Sequence, residues 1–262
     1  MAMRGSGESY RDVILRLAAG ESLGQQFLVA LRPLADRLVR PSLAPIYIER
    51  PGKPPEQSGT GFLINHRDRP LLVTAKHCLF DDGPALEKLI FFDGAPRPLT
   101  ELHTGEIISD PNNDLAVLYV DELGLERCIP VSCLIPGETT CGMIPTIGFL
   151  ARDFKRELSK DIFSSAPWLF HYKRAPKRPG QGYVGILFHK SRNRDATTGE
   201  LVQSPIPRGV SGGPMLDTMK LSEGKVEIVG VFTTYEQDRG LAYGETAQKV
   251  IDLLRNYELR GR

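Results

Sequence analysis

Short apolar stretches follow one another along most of the chain from about Ala44 onward, divided by Gly, Pro, Asn and Asp. Runs of this length between turn-forming residues are typical of β-strands, and many of them in succession favour an all-β sandwich or barrel. The predicted strands are Pro45–Glu49, Thr60–Ile64, Leu71–Ala75, Leu89–Phe92, Leu115–Val120, Met143–Phe149, Tyr183–Phe188 and Ile228–Thr234. Residues 121–141 are predicted to bridge two groups of strands.

The two ends of the chain show helical spacing instead. Within residues 8–40, apolar side chains recur every three or four positions with charged residues between them, at Phe27, Leu31, Leu34 and Leu38. Gly20 divides a short first helix from this second one, which Pro33 is expected to kink. Residues 245–257 have the pattern of a closing helix. The N-terminal helices are expected to pack on the strand domain, with a regulatory arm that binds a partner as the alternative.

Composition narrows the class of protein. The chain has 262 residues, 41% of them hydrophobic, which suits one large domain or two half-domains around a shared core. The net charge of +1 does not indicate a protein that binds nucleic acid or an anionic membrane surface. No apolar run is long enough to span a membrane, and the first residues lack a signal-peptide pattern. With only four cysteines, the chain is expected to be cytoplasmic with reduced thiols.

Three short segments contain the residue types of nucleophilic catalysis. They are Leu-Val-Thr-Ala-Lys-His-Cys ending at Cys78, Asn-Asp-Leu-Ala-Val-Leu around Asp114, and Gly-Val-Ser-Gly-Gly-Pro around Ser211. A serine hydroxyl is a poor nucleophile until an imidazole takes its proton, and a carboxylate must hold that imidazole in one tautomer. Glycines beside the serine allow backbone N–H groups to point at a developing oxyanion. His77, Asp114 and Ser211 are therefore the candidate catalytic residues.

In this order and spacing the three segments resemble those of the trypsin/chymotrypsin-like serine peptidases, in a bacterial-type, non-secreted form. The resemblance implies an all-β fold of two antiparallel six-stranded barrels with a C-terminal helix. It covers about residues 44–262, with barrel one at about 44–125, barrel two at about 138–243, and residues 1–43 as a helical extension. It implies a serine endopeptidase that acts through an acyl-enzyme and needs no metal or cofactor.

The resemblance also assigns roles around the triad. The N–H groups of Gly209 and Ser211 would form the oxyanion hole. Thr233, Thr234 and Tyr235 would form the strand along which a protein or peptide substrate lies. Pro205 would floor the primary pocket and Gly240 would line one wall. Since the floor offers no carboxylate and Tyr235 stands where a glycine often keeps the pocket open, a small or apolar residue is expected before the scissile bond.

Two positions depart from the family pattern. Val210 replaces an acidic residue that, in the zymogen members, pairs with an amino terminus freed by cleavage. Activity is therefore expected not to depend on that cleavage, and what orders the Gly209 turn stays open. In secreted members the cysteine after the histidine bonds to one in the preceding strand, but no cysteine precedes Cys78.

Other interpretations fit less well. The Gly-x-Ser-x-Gly elbow of an α/β-hydrolase needs a histidine after the serine, and all five histidines precede Ser211. Cys128, Cys133 and Cys141 lack the paired spacing of a zinc site. The open alternatives are a gated or inactive domain that binds a peptide or partner in the same cleft, and another acyl-transfer hydrolase such as an esterase.

Overall fold

The structure is a computed structural model. It describes residues 21–48, 55–80, 89–92, 96–102, 106–137, 142–151, 155–157, 162–164, 167–175, 182–188, 193–194, 201–203 and 205–260. The predicted helix before Gly20, together with His103, Cys141 and His189, lies outside these ranges.

The first group of strands forms an open sheet. Its strand order is β5-β4-β1-β2-β3-β7-β6, with antiparallel neighbours, and β8 adds a short parallel pair to β2. The strands are β1 (Leu43–Ile48), β2 (Glu56–His66), β3 (Arg69–Thr74), β4 (Leu89–Phe92), β5 (Pro96–Pro98), β6 (Ile108–Ser109), β7 (Ala116–Tyr119) and β8 (Ile129–Pro130).

The second group closes into a six-stranded antiparallel barrel of order β12-β13-β18-β17-β16-β9. Closure pairs both edges of every strand along part of its length, so the barrel presents few free edges. Its strands are β9 (Met143–Phe149), β12 (Pro167–Arg174), β13 (Tyr183–Leu187), β16 (Pro214–Leu216), β17 (Ile228–Glu236) and β18 (Leu241–Thr246).

Shorter elements connect and flank the two sheets. Two small hairpins are formed by β10 (Lys155–Glu157) with β11 (Ile162–Ser164) and by β14 (Asn193–Arg194) with β15 (Leu201–Val202). The helices are α1 (Glu21–Leu38), α2 (Lys76–Leu79), α3 (Leu99–Leu102), α4 (Thr218–Ser222) and α5 (Ala247–Arg260). No described helix is long and apolar enough to cross a membrane.

The prediction of two closed barrels is confirmed for one of them. The first strand group is an open sheet in the part of the chain described, and its order ends on β5 and β6. These two strands have three and two residues, so they offer few backbone groups for pairing across the gap. The closing helix is confirmed as α5, and each predicted strand overlaps an observed one. The strands β12 and β18 were not predicted from the sequence.

Alternating side chains divide the core into three clusters. On β2 and β3, Phe62, Ile64, Leu71 and Val73 point to a cluster shared with the barrel and the helices, whereas Leu63 and Leu72 point into the open sheet's own core. A third cluster fills the barrel interior. This period of two is the expected pattern for strands with both faces covered. The shared cluster joins the two sheets into one packed body.

Helix α1 is part of the shared cluster and not a detached arm. Leu31, Ala35 and Val39 are fully buried in it. Arg32 donates to the Pro167 carbonyl at the start of β12 at 3.1 Å and to Asp36 at 2.8 Å. The prediction that this helix packs on the strand domain is confirmed.

Leu31→Ala is expected to lower the free energy of unfolding by about 2–5 kcal/mol, because it leaves a cavity in the shared cluster. Chemical denaturation measures the change. Arg37→Ala, an exposed change on the same helix, is the control and should alter stability by no more than about 0.5 kcal/mol. Equal effects of the two changes would contradict a structural role for α1.

Candidate active site

His77 lies where β3 gives way to a single helical turn. β3 ends at Thr74, Ala75 is extended with φ −73° and ψ 139°, and α2 begins at Lys76. The apolar residues Leu71, Leu72 and Val73 bury the strand, so the histidine emerges at the end of a rigid element. The His77 side chain is half-exposed, with 49% of its surface accessible.

Asp114 is presented by a polar turn between β6 and β7. The Asp110 carboxylate organises this turn by accepting from the Asn112 N–H at 2.7 Å and from Asn113 Nδ2 at 2.6 Å. Lys76 Nζ donates to the Asp110 carbonyl at 3.0 Å, which joins the turn to α2. Asn and Asp side chains commonly stabilise turns in this way.

The structure brings His77 and Asp114 into direct contact through two hydrogen bonds. His77 Nδ1 lies 2.6 Å from Asp114 Oδ2, and the His77 backbone N–H donates to Oδ1 at 2.9 Å. The second bond fixes the carboxylate, and the first holds the ring through Nδ1, so that Nε2 is the ring nitrogen that does not face Asp114. This is the arrangement in which a carboxylate sets an imidazole tautomer.

The contact between His77 and Asp114 shifts the pKa of each of these two side chains. Burial lowers the pKa of His77, but hydrogen bonds to Asp114 and to the Cys78 thiol outweigh it and raise that pKa above its ordinary value of 6.5. For Asp114, burial raises the pKa of the carboxyl, but the hydrogen bond and charge of His77 bring it below its ordinary value. The ionised Asp114 carboxylate thus favours the protonated form of the imidazole, which is the form that the ring takes once it has accepted a proton.

Ser211 lies in a tight turn that needs glycine. Gly209 and Gly212 have φ values of +92° and +87°, a region that disfavours other residues. A Cβ on Gly212 would also collide with the Thr60 carbonyl. The turn is anchored to β2 by a hydrogen bond from the Thr60 N–H to the Ser211 carbonyl at 2.7 Å, and to β17 by one from the Gly212 N–H to the Phe232 carbonyl at 2.7 Å.

Two N–H groups of this turn are unpaired within the described part of the chain. The N–H groups of Val210, Gly212 and Gly213 donate to the carbonyls of Pro207, Phe232 and Val210. Those of Gly209 and Ser211, the predicted oxyanion donors, make no such bond among the described residues. Unpaired backbone donors beside a serine hydroxyl can bind an anionic oxygen.

Side chains of β2 hold the Gly209 peptide in place. Thr60 Oγ1 donates to the Gly209 carbonyl at 2.7 Å and accepts from the Phe149 N–H at 3.0 Å. Gln57 Nε2 lies 2.9 Å from the Phe149 carbonyl and 3.3 Å from that of Gly209. These contacts join the open sheet, the barrel strand β9 and the turn at one point. Neither role was predicted from the sequence, because a single polar residue in a strand forms no recognisable motif.

Val210 is fully buried in the barrel's own cluster, near Gly148. The Val210 side chain therefore anchors the turn to the barrel through apolar packing.

The Ser211 hydroxyl points toward β17. Ser211 Oγ donates to the Thr233 carbonyl at 3.1 Å, and no hydrogen bond joins it to the His77 ring in the described residues. The serine peptide itself lies next to the histidine element, because Cys78 Sγ donates to the Ser211 carbonyl at 3.4 Å. The structure therefore brings His77 together with Asp114 directly, and with Ser211 through the side chain of the neighbouring Cys78.

The predicted substrate residues lie around an available strand edge. β16 pairs with β17 only up to Val231, and Thr234, Tyr235 and Glu236 pair with β18 on the other side. On the edge nearer Ser211 no described strand pairs with these three residues. An extended peptide can add to such an edge as a further strand.

The predicted pocket residues differ in exposure. Pro205 is buried and Thr234 is exposed. The Tyr235 ring packs against Phe188, with 4.5 Å between centroids. Gly240 has φ +58°, and its carbonyl accepts from the Phe188 N–H at 2.8 Å. Phe188 thus connects Tyr235 to the Gly240 turn.

Among the described residues, His66, His171, Cys128 and Cys133 make no hydrogen bond with His77, Asp114 or Ser211. His66 Nδ1 lies 2.9 Å from the Tyr119 hydroxyl, and Nε2 lies 3.1 Å from Glu258. Burial lowers the pKa of His171 to about 3. Cys78, Cys128 and Cys133 are free thiols. Within the described ranges, no three His, Cys, Asp or Glu side chains are grouped as metal ligands.

In comparisons with known proteins, no protein-family model matches the sequence, and no curated protein matches it as a relative.

Asp114→Asn is expected to lower the pKa of His77, because the ionised acceptor that favours the imidazolium is lost. NMR titration of the imidazole measures it. The raised pKa of His77 implies stabilisation that is complete below its unfolded pKa and is lost as pH rises through the folded pKa. This pH-dependent part of stability should shrink in Asp114→Asn. An unchanged His77 titration would contradict the pairing.

Proposed function

We propose that this protein is a serine endopeptidase that uses His77, Asp114 and Ser211. The observation that carries the proposal is the combination at one site of an oriented His–Asp pair with a glycine turn that leaves the Gly209 and Ser211 N–H groups unpaired in the described residues. Acyl transfer needs both features, whereas a structural ion pair needs only the first.

In the proposed reaction, Ser211 Oγ attacks the peptide carbonyl while His77 Nε2 takes its proton. Asp114 holds the ring and stabilises the imidazolium, which then donates the proton to the leaving amine. The resulting acyl-enzyme is hydrolysed when water attacks it with His77 again as the base. The Ser211 hydroxyl must first turn from the Thr233 carbonyl toward the ring, a rotation about χ1 that needs no change in the backbone.

The oxyanion of the tetrahedral intermediate would accept from the N–H groups of Gly209 and Ser211. One such donor contributes about 10²–10³ in rate. We propose that these donors are aligned without proteolytic activation, since Val210 is packed in the barrel and Thr60 with Gln57 holds the Gly209 carbonyl.

The overall architecture is proposed to be the chymotrypsin-like double barrel. The closed barrel and the shared apolar cluster against the first sheet support it. In that architecture the cleft lies between the two halves, and this agrees with the origin of His77 and Asp114 in the first sheet and of Ser211 in the barrel.

The substrate is proposed to bind as an antiparallel strand along Thr233–Tyr235. The ring of Tyr235, held by Phe188, and the buried Pro205 favour a small or apolar residue before the scissile bond. Neither residue carries a charge that would select lysine or arginine.

The alternative function is a gated domain that binds a peptide or partner in the same cleft. The observation that favours it is the Ser211 hydrogen bond to the Thr233 carbonyl, which leaves the nucleophile turned away from its base. In a gated domain, binding of a partner would be needed to change this contact.

The first test of the proposal is labelling with a serine-directed fluorophosphonate. The wild-type protein is expected to form one adduct at Ser211, located by peptide mapping, and Ser211→Ala should not react. Ser222→Ala, which removes a buried hydroxyl at the end of α4, is the control and should label normally.

Incubation of the protein with a diverse peptide library then distinguishes an endopeptidase from the alternative functions. Cleavage after small or apolar residues is expected for an endopeptidase. Labelling without cleavage of any peptide would favour ester chemistry or gating, and the absence of labelling at Ser211 would contradict an active hydrolase.

Thr60→Val is expected to lower kcat by about 10- to 100-fold with little change in KM, because a loosened Gly209 peptide weakens an interaction made in the transition state. Steady-state kinetics measure both constants. Thr60→Ser keeps the hydroxyl and is the matched control, which should stay within about threefold of the wild type. An unimpaired Thr60→Val would show that the hydroxyl does not order the turn.

A further inference from the structure

A buried carboxylate from the barrel reaches the catalytic acid. Glu245 lies in β18, opposite Val231 and Tyr183 in the neighbouring strands. The residue is only 2% exposed. A buried carboxylate is costly unless each oxygen has a donor, so its partners indicate why it is tolerated.

Each Glu245 oxygen has one donor in the structure. Oε1 accepts from the Asp114 backbone N–H at 3.2 Å. Oε2 accepts from Nζ of Lys249, in the first turn of α5, at 2.6 Å. Lys249 Nζ also lies 4.3 Å from the centre of the Tyr183 ring. The cation therefore offsets the charge that the Glu245 carboxylate brings close to the Asp114 carboxylate.

This contact joins opposite halves of the site. Asp114 belongs to the open sheet, in the turn before β7, while Glu245 and Lys249 belong to the last strand and last helix. The side chain of Asp114 holds His77, and its N–H is held in turn by Glu245. Among the described residues, Asp110 and Lys76 also bring charged groups to this turn, and Lys76 reaches it from the His77 side.

We propose that Glu245 is a positioning residue for the Asp114–His77 pair, with Lys249 as its counter-ion. Glu245 fixes the Asp114 backbone relative to the barrel, and so fixes the ring of His77 relative to Ser211. The proposal rests on the proposed serine peptidase function for its kinetic consequence, but the contact itself affects His77 whether or not the protein cleaves peptides.

A matched pair of double variants isolates the hydrogen bond from the charge. Glu245→Gln with Lys249→Met keeps an acceptor for the Asp114 N–H and removes both charges. Glu245→Leu with Lys249→Met has nearly the same volume and no acceptor. The two proteins differ only in whether the Asp114 N–H is satisfied, since the buried ion pair is absent from both.

The Leu-containing variant is expected to lower kcat by about 10- to 100-fold, the cost of a small displacement of catalytic groups, with KM nearly unchanged. The low-field chemical shift of the proton on His77 Nδ1 should change, and the pKa of His77 measured by NMR titration should shift. The Gln-containing variant should stay close to the wild type in all three readouts. Gln248→Ala, which removes an exposed contact to Asp252 on the same helix, is the control for α5.

Two results would overturn the proposal: equal kcat and NMR spectra for the Gln- and Leu-containing variants, or loss of the wild-type low-field signal in the folded Gln-containing variant. If the wild-type protein neither labels nor cleaves, the proposed peptidase function fails. The NMR comparison still decides the role of Glu245, because it needs no turnover.

Discussion

The hydrogen bond from the Thr60 N–H to the Ser211 carbonyl joins the open sheet to the glycine turn of the barrel. The Thr60 hydroxyl adds a second bond across the same boundary, to the Gly209 carbonyl. Because His77 and Ser211 come from different sheets, a displacement between the two sheets would change their separation directly. The shared apolar cluster and these polar contacts together resist that displacement.

The polar contacts and the apolar packing contribute differently to the structure of the site. Apolar burial is non-directional and supplies most of the stabilising free energy, so it holds the sheets together without setting the orientation of any peptide group. Orientation comes from short hydrogen bonds at a few points: Asp114 to His77, Thr60 to Gly209, and Glu245 to Asp114. The glycine turn has both kinds of contact. The Val210 side chain packs in the barrel interior, whereas the N–H groups of Gly209 and Ser211 on either side of it stay unpaired within the described residues.

The pattern along the chain was sufficient for the strands and helices with strong periodicity. It predicted β9 with its observed bounds, and it identified α5 and the apolar face of α1. It missed β12, although Trp168, Phe170 and Tyr172 alternate there with other residues, and it expected a second closed barrel where the described strands form an open sheet. Strand closure depends on which edges meet, and local alternation carries no information about that.

For the candidate site, the sequence by itself determined the residue types: a histidine at a strand end, an acid in a polar turn, and a serine between glycines. Those choices are local, since they depend on turn geometry and side-chain chemistry within a few positions. Only the tertiary structure decided that Gln57, Thr60 and Glu245 serve the same site, because these residues lie far from their partners in the chain. Their polar groups find those partners only after the sheets have packed, and a buried polar group must be paired where packing leaves it.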